Sequence, residues 1–241
     1  MLKRVLLASI FCAAATAAMA QVAPPAAPAA PGAAAPAAPA APAAPPPPMS
    51  FFVTSTVPGT GNLGGLAGAD ALCQKLAAAV ASSKTFHAYL STQVANGQPA
   101  VNARDRIGNG PWYNQKGVMI AMNVDDLHGD VQRDRNYILK STALDEKGAV
   151  INGIGDTPLQ HDMLTGTDSD GRAFPAGMDM TCSNWTNDTP QGRAMLGHSD
   201  RTGLATGGNT SWVQNHISAG CDAAGLIRTG GNGRFYCFAI N

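Results

Sequence analysis

Polar side chains suited to hold an ion are concentrated between Thr165 and Asp188. Within this stretch, Asp168-Ser169-Asp170-Gly171 alternates carboxylates and ends in glycine, a spacing by which oxygen ligands wrap Ca²⁺. No Glu closes a calcium loop after it, because Asp179 is the next acid along the chain. The sequence therefore allows a calcium site at Asp168 and Asp170. The alternative is a turn held by bonds from Asp side chains to backbone amides.

The same region supplies most of the side chains that we expect to bind a polar ligand. They are Asp168, Asp170, Arg172, Asn184, Asn187, Asp188 and, further along the chain, Trp212. Trp212 follows glycines and amides, where an exposed ring stacks on a sugar while the amides bind hydroxyls. The equal alternative is that Trp212 caps a second small core. Trp185, three residues after Cys182, is expected to pack in the core against a disulfide rather than to contact a sugar.

Residues for catalysis are not arranged in any motif that we can identify. Gly-x-Ser-x-Gly, His-Glu-x-x-His and glycine-rich phosphate loops are absent from the sequence. The histidines are scattered, and His161-Asp162 and His198-Ser199-Asp200 could form a hydrolytic site only if folding brought them together. We therefore expect a protein that is not an enzyme.

The first 48 residues are expected to direct export and to act as a spacer. Residues 1–20 carry Lys3 and Arg4, an apolar run and a terminal Ala-Met-Ala, the pattern of a cleaved signal peptide. Residues 21–48 are almost entirely Ala and Pro, which predicts a disordered, extended linker. The alternative is a passive tail without a spacer role. A secreted or periplasmic location follows, with no transmembrane segment after the signal is removed.

Residues 49–241 have a length typical of one domain with its own core. After loss of Lys3 and Arg4 the chain has 14 basic and 16 acidic residues, a net charge of −2 without a basic cluster. Nucleic acid is therefore excluded as the expected partner. Only Glu146 among the acids is Glu, which suits a loop-rich domain.

The pattern of apolar residues predicts a mixed α+β domain. β-branched and aromatic residues predict strands over 51–57, 85–91, 118–122 and 234–240, whereas apolar residues recurring between Leu66 and Val80 predict a helix. The cysteines left after export are Cys73, Cys182, Cys221 and Cys237. They predict two disulfides in an oxidising compartment, with three pairings open.

Five sequence blocks occur in an order that resembles endostatin, the C-terminal domain of certain collagens, and similar secreted bacterial lectin-like domains. The blocks are Gly64–Gln74, Thr85–Ser91, Gly166–Arg172, Cys182–Thr186 and Tyr236–Asn241. The resemblance runs from Phe51 to Asn241, with a poorly matched middle third. It implies a C-type-lectin-like α+β fold with nested disulfides, the outer joining Cys73 to Cys237 and the inner joining Cys182 to Cys221.

Departures from the family limit what the resemblance implies about ligands. Endostatin binds zinc through histidines near its N-terminus, whereas Met49–Thr60 contains no His. The arginine cluster that binds heparin in endostatin is replaced here by mixed charge. The sugar-binding loop of calcium-dependent lectins is absent, and Trp185-Thr186-Asn187-Asp188 is one residue longer than their Trp-Asn-Asp triplet.

Together these features predict an exported, non-enzymatic module that binds a glycan or an envelope or matrix polymer. The alternative is a structural or adhesion domain that binds another protein, which would expose a flat patch near Met178, Met180, Met195 and Leu196. A hydrolase would instead show a cleft that holds two or more His with Asp.

Overall fold

The computed structural model describes residues 45–129, 133–202 and 210–241. The predicted signal peptide, and the predicted linker up to residue 44, lie outside the described residues. The described part of the chain contains no helix that is both long and apolar enough to cross a membrane.

A six-stranded mixed sheet forms the centre of the domain. Its strands, in the order of the chain, are β1 Phe51–Val53, β2 Phe86–Ala88, β5 Asp162–Leu164, β6 Met195–His198, β7 His216–Ile217 and β8 Gly231–Ala239. In space the order is β1-β8-β5-β6-β7, and β2 also pairs with β8. The pairing of β5 with β8 is parallel, and the other pairings in this sheet are antiparallel.

Short elements outside the sheet complete the architecture. A two-stranded ribbon joins β3 Trp112–Tyr113 to β4 Met119–Ala121. The helices are α1 Gly65–Ala79, α2 Val124–Leu127, α3 Cys182–Trp185 and α4 Ala223–Thr229, with a 3₁₀ turn at Ala103–Arg106. The domain is thus mixed α+β, rich in loops and poor in long helices.

Strand β8 separates two hydrophobic cores because its side chains alternate between the two faces of the sheet. Phe235 and Cys237 belong to the core that includes the buried face of α1. Tyr236 and Phe238 belong to the opposite core, which includes Trp112 and is otherwise built mainly from loops. The sheet is therefore apolar on both faces, which explains the unbroken aromatic run in the last strand.

Two nested disulfides join the sheet to its surroundings. Cys73 of α1 bonds to Cys237 of β8 and encloses 164 residues, and Cys182 bonds to Cys221 and encloses 39. The pairing that the resemblance implied is the one observed. On the chain-entropy argument, each stabilises the fold by several kcal/mol, about 5 and about 4 respectively.

The predicted elements are found with different bounds. The four predicted strands appear as β1, β2, β4 and β8, of which β8 is longer than predicted and the other three are shorter, and the predicted helix appears as α1. Trp185 is buried as expected, and Trp112 is buried in the second core. The apolar pattern does not predict β5, β6 and β7. His198 and His216 lie on β6 and β7, and His161 directly precedes β5.

Candidate functional site

The predicted calcium ligands Asp168 and Asp170 are engaged in internal bonds. Asp168 Oδ1 accepts the backbone N–H groups of Asp170 and Arg172 at 2.9 and 2.8 Å. Asp170 Oδ1 lies 2.5 Å from Arg104 Nη1, and its Oδ2 lies 2.9 Å from Arg172 Nε. This is the geometry of the alternative, a turn held by aspartate side chains. The two guanidinium groups also disfavour a second cation beside Asp170.

The electrostatics of Asp170 follow from these contacts. Partial burial alone would raise the pKa of its carboxyl. Hydrogen bonds and charge attraction from Arg172 and Arg104 outweigh that effect and hold the pKa below its ordinary value. Asp170 is therefore ionised at neutral pH and ties the 168–172 turn to Arg104.

The predicted ligand residues Asn184, Asn187 and Asp188 stabilise their own loop. The side chain of Asn184 exchanges two hydrogen bonds with the backbone of Gln93. Asn187 accepts from Thr189 and donates to Gln191, and Asp188 lies 3.5 Å from the amide of Asn62. These contacts explain why amide-rich turns occur here.

The turn α3 is left-handed rather than an ordinary helix. Cys182, Ser183, Asn184 and Trp185 all have positive φ, between 47° and 66°. Each L-residue in this conformation costs roughly 1–2 kcal/mol. The inner disulfide, the Asn184 bonds and a 2.8 Å bond from Trp185 Nε1 to the Ser91 carbonyl oppose that strain.

The expectation that Trp212 is exposed is wrong, since the residue is only 1% exposed. Its ring packs against Tyr89, His128 and Tyr236, so it belongs to the second core, as the alternative proposed. The expected flat patch of Met and Leu is formed in part. Met178 is 45% exposed, whereas Met195 and Leu196 lie in β6, a strand interior to the sheet, and are 7% and 1% exposed.

A polar cavity of about 300 Å³ opens beside the 168–172 turn. The residues that line it are Arg104, Asp125, His128, Gly129, Arg133 and Asp170. Of the predicted ligand residues, Asp170 is the one that lines this cavity. The charged residues that line it belong to stretches of mixed sign, a pattern that is typical of a solvated surface and does not by itself indicate a site.

His128, one of the residues that line this cavity, is paired with the buried Tyr89, and both groups are neutral. Tyr89 Oη lies 2.6 Å from His128 Nε2, and His128 Nδ1 lies 2.8 Å from the Val124 carbonyl oxygen. Burial lowers the pKa of His128 to about 4, so the ring is neutral at pH 7. Burial also raises the pKa of Tyr89 well above its ordinary value. The pair therefore offers fixed dipoles rather than a mobile charge.

A second group of chemically competent side chains lies on strands β5, β6 and β7. We name it the His–Asp cluster, and its members are His161, Asp162, His198, Asp200 and His216. The Nε2 atoms of His161, His198 and His216 lie 3.4, 3.2 and 3.5 Å from Asp162 Oδ1. Folding thus brings together His161-Asp162 and His198-Ser199-Asp200, which are far apart in the sequence, and adds His216.

The cluster is almost closed to solvent. His161 and His198 are 3% and 4% exposed, whereas the side chain of His216 is 37% exposed and forms the edge. The sheet does bring two or more His together with Asp, the side chains that a hydrolase would need.

Two carboxyl groups of the cluster are held ionised. For Asp162, burial opposes ionisation, but His198 and His216 outweigh it and lower the pKa. For Asp200, burial is again outweighed, here by His161 and by the backbone N–H groups of Ile154 and Thr202. The carboxylate of Asp162 in turn raises the pKa of His216. The cluster is therefore a buried group of nitrogen and oxygen atoms in which the two carboxylates carry negative charge.

A signal for this cluster was present in the sequence. Asp162 to Leu164 and Met195 to His198 are short apolar runs with a polar residue at one end, as in neighbouring strands that end at the same edge. Runs of three or four residues are too short to assign as strands from their pattern alone.

No protein-family model matches this chain, and no curated protein sequence matches it significantly.

Proposed function

We propose that this protein is an exported binding module that recognises a hydroxyl-rich ligand, a glycan or an envelope or matrix polymer, and does not catalyse a reaction. The observation that carries the proposal is the polar cavity beside the 168–172 turn, where planar donors and carboxylate acceptors face solvent together. Arginine and aspartate side chains in this arrangement bind the vicinal hydroxyls of sugars through paired hydrogen bonds.

The cavity is rigid before any ligand arrives. The Arg104 side chain is 14% exposed and is fixed by the backbone oxygen and the carboxylate of Asp170 at 2.7 and 2.5 Å. The backbone N–H of Arg104 also donates to the Gly171 carbonyl at 3.1 Å. A preorganised site of this kind loses little conformational entropy on binding.

Asp125 supplies an accessible acceptor at the rim. Its side chain is 88% exposed and lies 3.9 Å from Arg104, beyond hydrogen-bond distance. A hydroxyl group can therefore reach Asp125 without displacing a bond within the protein. The nested disulfides and the oxidising compartment that they require suit an exported receptor for such polymers.

The alternative, a structural or adhesion domain that binds another protein, has less support. Of the four residues near which its flat surface was expected, Met195 and Leu196 are buried in β6, although Met178 is exposed. A charged concave site suits a polar ligand better than a protein partner, whose interface core is depleted in charge.

A glycan array with two matched aspartate variants tests the proposal. We expect the oxidised mature protein to bind a subset of envelope polysaccharides. We expect Asp125→Ala to weaken that binding by roughly ten- to a hundredfold, because a charged hydrogen bond contributes roughly 1.5–3 kcal/mol. Asp188→Ala removes an exposed carboxylate outside the cavity and should leave binding unchanged. An array without specific binding, or equal losses in both variants, would contradict the proposal.

A further inference from the structure

Three histidines of the His–Asp cluster place Nε2 atoms around one carboxylate oxygen. These atoms lie 3.2–3.5 Å from Asp162 Oδ1, and those of His198 and His216 lie 2.9 Å apart. Asp162, His198 and His216 offer ligand atoms that all lie within 4.8 Å of one another, whereas the ring of His161 stacks on that of His198 at 4.0 Å. Tetrahedral zinc with bonds of about 2.0–2.1 Å separates its ligand atoms by about 3.3 Å. The spacing of Asp162, His198 and His216 is close to that of a metal site with three protein ligands.

The other ring nitrogens face hydrogen-bond acceptors. Nδ1 of His161 lies 2.9 Å from Asp200 Oδ1, and Nδ1 of His198 lies 2.9 Å from the Thr202 carbonyl. Nδ1 of His216 lies 3.2 Å from the Ile217 carbonyl. Each acceptor favours a proton on Nδ1 and leaves a lone pair on Nε2. This is the pattern by which outer partners orient metal-binding histidines.

The lone pairs repel one another unless a cation lies among them. Both oxygens of Asp162 are buried and lack a hydrogen bond of acceptable geometry, and the residue is 1% exposed. A buried carboxylate without a partner is costly. The alternative without a metal is a protonated histidine network, in which a ring gains a second proton and serves as the cation.

The sheet fixes the geometry of the ligands. Asp162 lies opposite His198 in the β5–β6 pairing, and Leu196 lies opposite His216 in the β6–β7 pairing. Since Leu196 and His198 are two residues apart, register places Asp162, His198 and His216 on one face. Neighbouring strands hold side chains more rigidly than loops do.

Glycines of β8 and the turn before it leave room for the cluster. A Cβ atom on Gly231 would lie 2.9 Å from the Asp162 Cβ, and one on Gly230 would lie 3.4 Å from His161 Nε2. On the opposite side, Asn215 Nδ2 lies 2.7 and 2.8 Å from the two ring nitrogens of His198. The Asn215 side chain therefore has to shift for an ion to reach that ring.

We propose that Asp162, His198 and His216 bind one divalent transition metal ion of the zinc class, and that Asp200 holds His161 against the ring of His198. Imidazole nitrogens suit zinc, whereas Ca²⁺ and Mg²⁺ select sites made of oxygen. Three protein ligands leave the fourth position of a tetrahedral ion to water or to a small ligand. The ion therefore joins β5, β6 and β7.

Metal binding by the purified protein tests this inference directly. The mature chain is exported without a histidine tag, isolated with both disulfides formed, stripped with a chelator and titrated with Zn²⁺ and with Co²⁺. We expect one equivalent of either metal per chain, a higher melting temperature with Zn²⁺, and the visible absorption of tetrahedral Co²⁺. A folded, oxidised protein that binds neither ion would overturn the proposal in favour of the protonated network.

Variants identify the ligands. Asp162→Asn and His216→Gln should each weaken zinc binding more than a hundredfold. His216 lies at the edge, so its variant is expected to fold even if the buried Asp162→Asn does not. Asp200→Asn should weaken binding less than either ligand variant, because Asp200 bonds to His161, which stacks on the ligand His198. His87→Gln is the matched control, because His87 lies on β2 outside the cluster. Zinc binding that is unchanged in His216→Gln, or equally reduced in His87→Gln, would place the ion elsewhere and refute the site.

Discussion

The polar loop from Thr165 to Asp188 and the His–Asp cluster use their carboxylates in opposite ways. In the loop, Asp168 accepts bonds from backbone N–H groups two and four residues further along the chain. Asp170 accepts bonds from the side chains of Arg172 and Arg104. In the cluster, Asp162 faces three histidines from three segments and has no well-formed hydrogen bond. The carboxylates of the loop are therefore hydrogen-bonded within the protein, whereas the carboxylate of Asp162 in the cluster remains available to bind a ligand.

This difference shows how polar residues that are dense in the sequence can mislead. Asp and Asn are common in turns because their side chains bond to nearby backbone, and those bonds occupy the atoms that would bind a ligand. Asp162 on β5 has no such bond to nearby backbone, and its carboxylate faces side chains of the neighbouring strands instead. A search for sites should therefore weigh which oxygens and nitrogens remain unbonded after folding.

The largest expected effect separates the buried tryptophan from a sugar-stacking platform. Trp212→Ala should lower the free energy of unfolding by about 3–5 kcal/mol, because it leaves a cavity between Tyr89 and Tyr236. Urea denaturation measures the loss. Tyr137→Ala is the control, since Tyr137 is 54% exposed and its truncation should cost much less. If the Trp212 variant were as stable as the wild type, the ring would have to be exposed rather than buried.

Removing the charge of Asp170 should have a smaller effect that depends on pH. Asp170→Asn should cost about 1 kcal/mol at pH 7, because Arg104 and Arg172 lose a partially solvated ion partner. The folded-state pKa of Asp170 is lowered, so its contribution is present above the unfolded pKa of about 4 and is lost as pH falls through the folded pKa. Denaturation at pH 7 and at progressively lower pH should show the two proteins converging. A stability difference that stays constant with pH would contradict the ion-pair interpretation.

Relief of strain in the left-handed turn should give a gain. Ser183 has a φ of 55° and is exposed, and glycine adopts this conformation without the steric cost of a Cβ. Ser183→Gly should stabilise the protein by about 0.5 kcal/mol, since the relief of strain exceeds the added entropy of the unfolded chain. Ser82→Gly, in a connecting loop, serves as the comparison in thermal melts. A lower melting temperature for Ser183→Gly would show that the turn is not strained.

The smallest effect is expected at the predicted calcium ligand. The Oδ1 atom of an asparagine can accept the same two backbone bonds as Asp168, so Asp168→Asn should change stability by less than about 0.5 kcal/mol. Millimolar Ca²⁺ should leave the melting temperature of both proteins unchanged. A calcium-dependent rise in the melting temperature of the wild type, absent from the variant, would instead support a calcium site at Asp168. It would contradict the view that the loop carboxylates are fully engaged within the protein.

The sequence predicted those parts of the fold whose signal is local. The apolar periodicity of α1 and the aromatic run of β8 are long enough to identify helix and strand, and the even cysteine count predicted two disulfides. Burial of Trp212 could not be inferred, because it depends on Tyr89 and Tyr236, which are distant in sequence. The cluster was missed for the same reason. Its ligands meet through the register of short strands, and no single stretch of sequence contains that register.

Strand β8 gives the domain an order of assembly. Phe51 of β1 pairs with Phe238, and β2 and β5 also require this strand as their neighbour. A chain synthesised from its N-terminus must keep its early strands unpaired until the last one is made, since contacts so far apart in sequence form slowly. During that interval the aromatic faces of β1 and β2 are open to other chains. Chaperones that shield exposed strands would consequently raise the yield of folded protein.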